Sequence, residues 1–268
     1  MIESPYLVAP GSKVRLSDHR TDDTGRFKDK AEALPDTQKN LARLEELQEL
    51  LYAEARHAVL VVFQAMDAGG KDGAIKHVFS GLDPQGCTVT SFKTPTPLEL
   101  AHDFLWRIHA AVPPRGMFGI FNRSHYESVL VERVKDLVPE QVWKKRYDHV
   151  NEFERMLAEE GMVILKFFLH VSKDEQKKRL ESRLNDPHKQ WKFDVGDIEE
   201  RRHWDEYMEA CQDALRKCSQ EYAPWYVVPS DRKWFRNWVI SDVLVKTLDR
   251  LEMNYRKPKD DLSSVVIE

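Results

Sequence analysis

The sequence predicts an α/β fold, with a parallel five-stranded sheet covered on both faces by helices. Three observations carry this expectation. Five short, apolar, β-branched runs recur along the chain, each is followed by a helical pattern, and several of those helices open with a capping signature. Strands that read as continuous apolar runs belong to sheets buried on both faces. With 268 residues and 41% hydrophobic content, the chain can bury one sizeable core, and a single large α/β domain is expected.

Residues 1–34 are polar and rich in charge, Gly and Pro, and read as an N-terminal extension that wraps or links. A helical period runs from Asp36 to about Arg56, with Leu41, Leu44, Leu47 and Leu51 on one stripe. The strand runs are Ala58–Gln64, Cys87–Phe92, Gly116–Asn122, Met162–His170 and Trp225–Pro229. Thr96 to Glu99, Ser124 to Glu127 and Ser172 to Glu175 each have capping-box form, a hydroxyl followed three residues later by Glu. The Asn185-Asp186-Pro187 segment breaks a helix, and another begins near Asp197. The main domain is expected over 35–252, with a C-terminal tail over 253–268. Trp234, Phe235 and Trp238 read as a buried helix face.

Acids slightly outnumber bases, giving a formal net charge of -4 and a pI near 6.2. That balance excludes a protein whose whole surface binds nucleic acid or membrane, and a polyanion would need a locally basic cleft. Cys87, Cys211 and Cys218 form no CxxC and no metal-ligand spacing, and fit a reducing compartment. Cys211 and Cys218, one heptad apart, read as packing residues. His170, His188 and His203 share no metal spacing and read as ordinary polar or core histidines. No N-terminal signal is visible and the apolar runs are too short to span a bilayer, so a cytoplasmic protein is expected.

In parallel sheets of this kind ligands bind at the carboxyl ends of the strands. The loop after Gln64 is the most informative: Asp67-Ala68-Gly69-Gly70-Lys71-Asp72-Gly73 joins a buried strand to a helix running through about Phe79. Glycines let the backbone curl so that successive N–H groups point at one anion. The helix start adds partial positive charge, and Lys71 adds a full one. The match to G-x-x-x-x-G-K-[ST] is imperfect, with Ala65 at the first Gly and Asp72 at the hydroxyl. Asp67 would repel a bare phosphate, and makes sense as a holder of Mg²⁺ that bridges phosphates.

The strand ending at Asn122 leads into Arg123-Ser124-His125-Tyr126-Glu127. A neighbouring strand of a P-loop enzyme usually ends in a metal-binding Asp, and here that place falls on the neutral Asn122. Arg123 is placed to neutralise charge on a transferring phosphoryl group. Glu127 has two readings that do not exclude each other. One is a helix cap bonding back to the Ser124 N–H; the other is a contact to metal-bound water or to the acceptor nucleotide.

A basic stretch comes after the fourth strand: Lys173, Lys177, Lys178, Arg179 and Arg183, then Lys189 and Lys192. Such runs are commonly solvated helix faces. After a late strand of a P-loop fold they also suit a lid, at about 173–196, that closes over a phosphate chain and excludes water.

Five segments together resemble the family-2 polyphosphate kinases: Ala65 to Gly73, Ser91 to Lys93, His102 to His109, Phe121 to Glu127 and Ala223 to Val228. The likeness spans about residues 36–250. It implies a three-layer α/β/α sandwich of the P-loop kinase type with a helical lid, magnesium-dependent phosphotransfer from polyphosphate, and a homo-oligomer, dimer or tetramer. By the same likeness Asp67 corresponds to the metal-linked carboxylate, Lys71 to the phosphate lysine and Arg123 to the arginine of the second motif. Arg179 and Arg183 fall on the lid, and Lys76 and Lys93 face polyphosphate. Many members carry Asp where this chain has Asn122. The Asn form with Glu127 is similar to a third subclass that phosphorylates both mono- and diphosphates.

The expected reaction is in-line, reversible transfer of a terminal polyphosphate phosphoryl group to AMP or ADP. Ala68 to Gly73, with Lys71, would hold a phosphate. Asp67, Asn122 and Glu127 are the candidate magnesium ligands, Asn122 and Glu127 also the candidate nucleotide contacts. Arg123, Arg179 and Arg183 would stabilise the transition state. Two rivals stand beside this reading: an ATP-dependent nucleoside monophosphate kinase, and a non-catalytic protein that binds polyphosphate or nucleotide.

Overall fold

The structure, a computed structural model, describes residues 2–258, 265 and 267. Of the expected tail, residues 259–264, 266 and 268 lie outside the described residues. A two-residue strand β1 (Leu7–Val8) comes first, then a long helix α1 (Lys30–Glu54), strand β2 (Ala58–Gln64) and helix α2 (Lys71–Val78). Strand β3 (Cys87–Ser91) and two single-turn helices, α3 (Pro97–Leu100) and α4 (Trp106–His109), precede strand β4 (Phe118–Asn122). Next come α5 (Val131–Val134), α6 (Glu140–Glu159) and strand β5 (Met162–His170). Helices α7 (Lys173–Asn185), α8 (Gly196–Arg202) and α9 (Trp204–Cys218), strand β6 (Trp225–Pro229) and α10 (Lys233–Asp249) complete the chain.

The sheet order is β1-β6-β5-β2-β4-β3, with every neighbouring pair parallel except β1 and β6. The five expected parallel strands are present, and the sheet count is corrected from five to six. The sixth strand comes from the N-terminal extension, where Val8 pairs with Trp225. Two residues carry too little apolar pattern to announce a strand, and their pairing depends on contacts far along the chain. Ser219 Oγ donates to Val8 O at 2.6 Å, Arg216 Nε to Val14 O at 2.7 Å, and Leu16 N to Gln212 Oε1 at 3.1 Å.

Side chains alternate along β2 and fill two cores, which is what a period of two does in a strand covered twice. Val59, Val61 and Phe63 pack with α1, α2 and α10; Leu60 and Val62 pack with α6 and α9. The expected three-layer sandwich is therefore realised. Phe235 is buried in the first core, with Trp234 and Trp238 half-buried against it. Cys211 and Cys218 are buried in the second. Among the described residues no helix is long and apolar enough to cross a membrane.

Helix α1 begins at Lys30, six residues before the expected start at Asp36, and residue 34 lies inside it. Pro35 masked the true start, because proline inside a helix removes a hydrogen bond. The helix continues through it because its first turn is well capped: Asp29 accepts from the Glu32 N–H, and Glu32 accepts from the Lys28 N–H at 2.7 Å. Ala33 and Thr37, on either side of the proline, are buried.

Only one of the three capping boxes closes fully, at Thr96 and Glu99. Ser172 caps α7, yet the Glu175 carboxylate turns to Arg179 Nε at 2.8 Å. Ser124 accepts from the Tyr126 N–H at the start of a 3₁₀ turn, and Glu127 reaches away to Gln64. The capping reading of the Glu127 side chain is thus replaced by a contact across the sheet end.

A candidate phosphate-transfer site at the carboxyl end of the sheet

Strands β2, β4 and β5 are parallel and in register, so their ends deliver the Asp67 loop, the Arg123 turn and the α7 start to one edge. The loop after β2 is sharply curled. Ala68 has φ 56° and Gly70 φ 105°, both left-handed. A Cβ on Gly69 would lie 2.6 Å from Ala65 Cβ and 2.7 Å from Met66 O, so no other residue fits there without a shift.

The loop carbonyls are held outward by side chains. Gln176 Nε2 donates to Asp67 O at 2.8 Å, and Arg179 Nη1 to Ala68 O and Gly69 O at 3.2 and 2.9 Å. Arg236 Nη1 donates to Gly70 O at 3.0 Å. The Gly69 N–H is spent on Met66 O at 2.9 Å, while the N–H groups of Lys71, Asp72 and Gly73 in the first turn of α2 have no intrahelical acceptor and are available to an anion in the cleft. That is the geometry of an anion nest. Lys71 curls back so that Nζ donates to Ala65 O at 2.9 Å. Burial, and then Arg123, lower its pKa, with Asp67, Glu127 and Asp72 opposing.

Arg123 sits just beyond β4 at φ 64°, and Nη2 donates to Asp67 Oδ1 at 2.7 Å. Burial pulls its pKa down, but Glu127 and Asp67 outweigh burial and hold it above the ordinary value. Left-handed backbone at two non-glycine residues, Ala68 and Arg123, on facing loops is strain concentrated where a ligand would bind. Asn122 Nδ2 donates to Asp72 Oδ1 at 2.6 Å and ties the second motif to the start of α2.

These residues line a cleft of about 960 Å³. Ten lysines and arginines face five carboxylates along its wall, on a chain whose net charge is -4. The cleft contains every sequence-derived site residue except two. Lys76 is exposed on α2, outside the lining, and Glu127 lines an adjoining chamber of about 620 Å³. Asp67, Lys93, Arg123 and Asp197 belong to both spaces and form their boundary. The chamber wall includes Leu130, Val131, Val138 and Tyr207, an apolar surface of the kind a base requires. Gln64 Nε2 holds Glu127 Oε1 there at 3.0 Å.

The basic stretch divides in two. Arg179 makes all its bonds to protein: Glu175, the two loop carbonyls, and the carbonyls of Ser230 and Asp231. Arg183 bridges Lys192 O and Asp197 Oδ2 at 3.3 and 3.2 Å, while Lys178, Lys189 and Lys192 present charge to the cleft. Burial, and then Asp67, raise Asp197 to about 6. Lys233 and Arg236, missed in the sequence, also line the cleft. The available signal was an arginine within the Trp234 to Trp238 aromatic face, where an unpaired charge would be costly.

Oxygen donors suited to a hard cation are present. Asp67 Oδ2 and Asn122 Oδ1 make no hydrogen bond among the described residues. Among the described residues no group of three or more His, Cys, Asp or Glu could hold a metal ion. Such a donor set fits magnesium, which binds through one or two carboxylates and substrate phosphates and keeps several waters.

The family model described as polyphosphate kinase 2 (PPK2) matches residues 27–257. The AMP/ADP-polyphosphate phosphotransferase of Meiothermus ruber is 56% identical over 264 residues, 98% of this chain and 99% of that one. The ADP-polyphosphate phosphotransferase of Rhodopseudomonas palustris is 45% identical over 93% of this chain and 91% of that one. Among solved structures, the polyphosphate kinase 2 of Arthrobacter aurescens TC1 superposes with a TM-score of 0.92 at 43% identity, covering 95% of this chain and 92% of that one.

Proposed function

The chain belongs to the polyphosphate kinase 2 family, and from that premise we propose that it transfers the terminal phosphoryl group of polyphosphate to AMP and ADP. The observation that carries the reading is a cation-rich cleft, built around a glycine turn, opening into a chamber with an apolar wall that also carries Glu127. A phosphate chain suits the cleft and a nucleoside suits the chamber. Reacting phosphates would then meet at their boundary, beside Asp67 and Arg123.

Phosphoryl transfer needs positioning and charge stabilisation more than covalent chemistry. The nest at Ala68 to Gly73 and Lys71 hold a donor phosphate. Arg123, left charged by its carboxylate neighbours, lies against the transferring group. Asp67 and Asn122 would hold a magnesium ion, which supplies charge neutralisation on bridging phosphate oxygens when bound. Glu127 acts from the nucleotide side. Lys93, Lys178, Lys189, Lys192 and Lys233 track the chain, and Arg183 links the two parts of the lid at about 173–196. Arg179 and Arg236 keep the loop carbonyls turned away. A cytoplasmic homo-oligomer, dimer or tetramer, is part of the proposal. Three free thiols support the compartment, and the family likeness supports the assembly.

The test is incubation with AMP, Mg²⁺ and polyphosphate in the absence of ATP. ADP and then ATP should accumulate. No ADP under these conditions, with rapid ADP formation when ATP replaces polyphosphate, would favour an ATP-dependent monophosphate kinase. Tight binding of both substrates without turnover would favour a non-catalytic role.

A further inference from the structure

The second core contains an ionic cluster that the reaction above does not use. Lys166 on β5 and Glu154 on α6 have fully buried side chains, with Nζ 2.5 Å from Oε2. Lys166 spends its other two donors on Tyr126 Oη at 2.8 Å and Cys218 O at 2.7 Å. Glu154 Oε1 accepts from Tyr126 Oη and pairs with His125 Nε2, each at 3.0 Å. Four elements therefore meet at one buried point: β5, α6, the end of α9 and the 3₁₀ turn that carries His125 and Tyr126.

A buried ion pair is weak evidence for stability, because desolvation offsets most of the attraction and apolar replacements are often neutral. What this one does geometrically is specific. Both residues it grips from the turn lie between Arg123 and Glu127. The Arg123 N–H bonds to Phe63 O at 3.1 Å, but its left-handed φ of 64° has to be maintained by the turn on its C-terminal side. In that turn Ser128 Oγ donates to His125 O at 2.7 Å and Arg146 Nη1 to Ser128 O at 3.1 Å, closing the segment on itself and on α6.

We propose that the Lys166–Glu154 pair, acting through His125 and Tyr126, is the positioning device that holds Arg123 in register with Asp67 and the transferring phosphate. These are positioning residues: none lines the cleft. The inference deepens the reading of the reaction and rests on it.

The experiment is a double-mutant cycle on the full chain, using Tyr126→Phe and Arg123→Ala, with rates expressed per folded molecule. Tyr126→Phe keeps the ring and leaves Lys166 paired with Glu154 and Cys218 O, so folding is retained. In the otherwise unchanged enzyme it should lower kcat by about tenfold or more, since a small misplacement of a charge-stabilising group is costly. KM for AMP and for polyphosphate should stay within about twofold. In the Arg123→Ala background the same change should cost almost nothing, because the group it positions is gone. An equal penalty in both backgrounds, or a loss that tracks only the unfolded fraction, overturns the inference. His125→Leu, which cuts the second link, should repeat the pattern and guards against a neutral Tyr126→Phe. If both changes leave kcat intact the idea fails. Absence of polyphosphate-dependent turnover in the unaltered enzyme would instead overturn the reading of the reaction.

Discussion

Arg179 Nη1 donates to the carbonyl oxygens of Ala68 and Gly69, so an arginine of α7 braces the curled loop after β2. Its remaining donors go to Glu175, Ser230 O and Asp231 O. The sequence assigned Arg179 to transition-state stabilisation. Every guanidinium nitrogen is engaged by protein, which supports the proposal that it shapes the loop. Arg179→Lys keeps the charge and loses the planar fork, so kcat/KM for polyphosphate should fall on the order of tenfold to a hundredfold. Steady-state kinetics with saturating AMP measures it, and near-normal rates in the lysine variant would return Arg179 to a purely electrostatic role.

Gly69 is a second pressure point on the same loop. Gly69→Ala would force its Cβ against Ala65 Cβ and Met66 O. The loop has to open, and its carbonyls and N–H groups change direction together. Turnover should drop by roughly a hundredfold, as for loss of preorganised donors, with the fold retained. Circular dichroism alongside the rate separates the two effects. Full activity in this variant would mean the curled loop is not what grips phosphate.

The chamber side is probed through Gln64. Its amide holds the Glu127 carboxylate at 3.0 Å. Gln64→Leu removes that donor and frees Glu127 to swing, so KM for AMP should rise several-fold while KM for polyphosphate is unchanged. A shift in the polyphosphate constant instead would place Glu127 on the donor side.

His170 gives a pH signature independent of substrate. Burial lowers its pKa to about 4, and the hydrogen bond to Leu16 O opposes this only in part. The folded state therefore holds His170 neutral, while the unfolded chain takes up a proton below about 6.5. Stability is complete above that pH and is lost as pH falls toward 4, by about 2 kcal/mol at pH 5 as an upper value. His170→Gln should show a smaller fall in Tm between pH 7.5 and 5 than the unaltered protein. Parallel Tm curves would contradict the assignment.

The strands Ala58–Gln64, Met162–His170 and Trp225–Pro229 were legible to the residue because each is a continuous apolar run between polar turns. Asp67, Lys71 and Arg123 were legible because their chemistry is local to a strand end. Arg236 was not, since it meets Gly70 O across 166 residues of sequence. Nor were β1 and the Lys166–Glu154 pair, whose partners are decided only by how the layers stack. A lysine in a run such as Val163 to Leu169 signals a buried partner without saying which one.

Lys71→Ala bears most directly on the central claim, that the turn at Gly69 to Lys71 captures a phosphate chain and presents its end for transfer. Its turnover with polyphosphate and AMP should fall by on the order of a hundredfold or more with the protein still folded. Turnover within a few-fold of the unaltered enzyme would contradict the account.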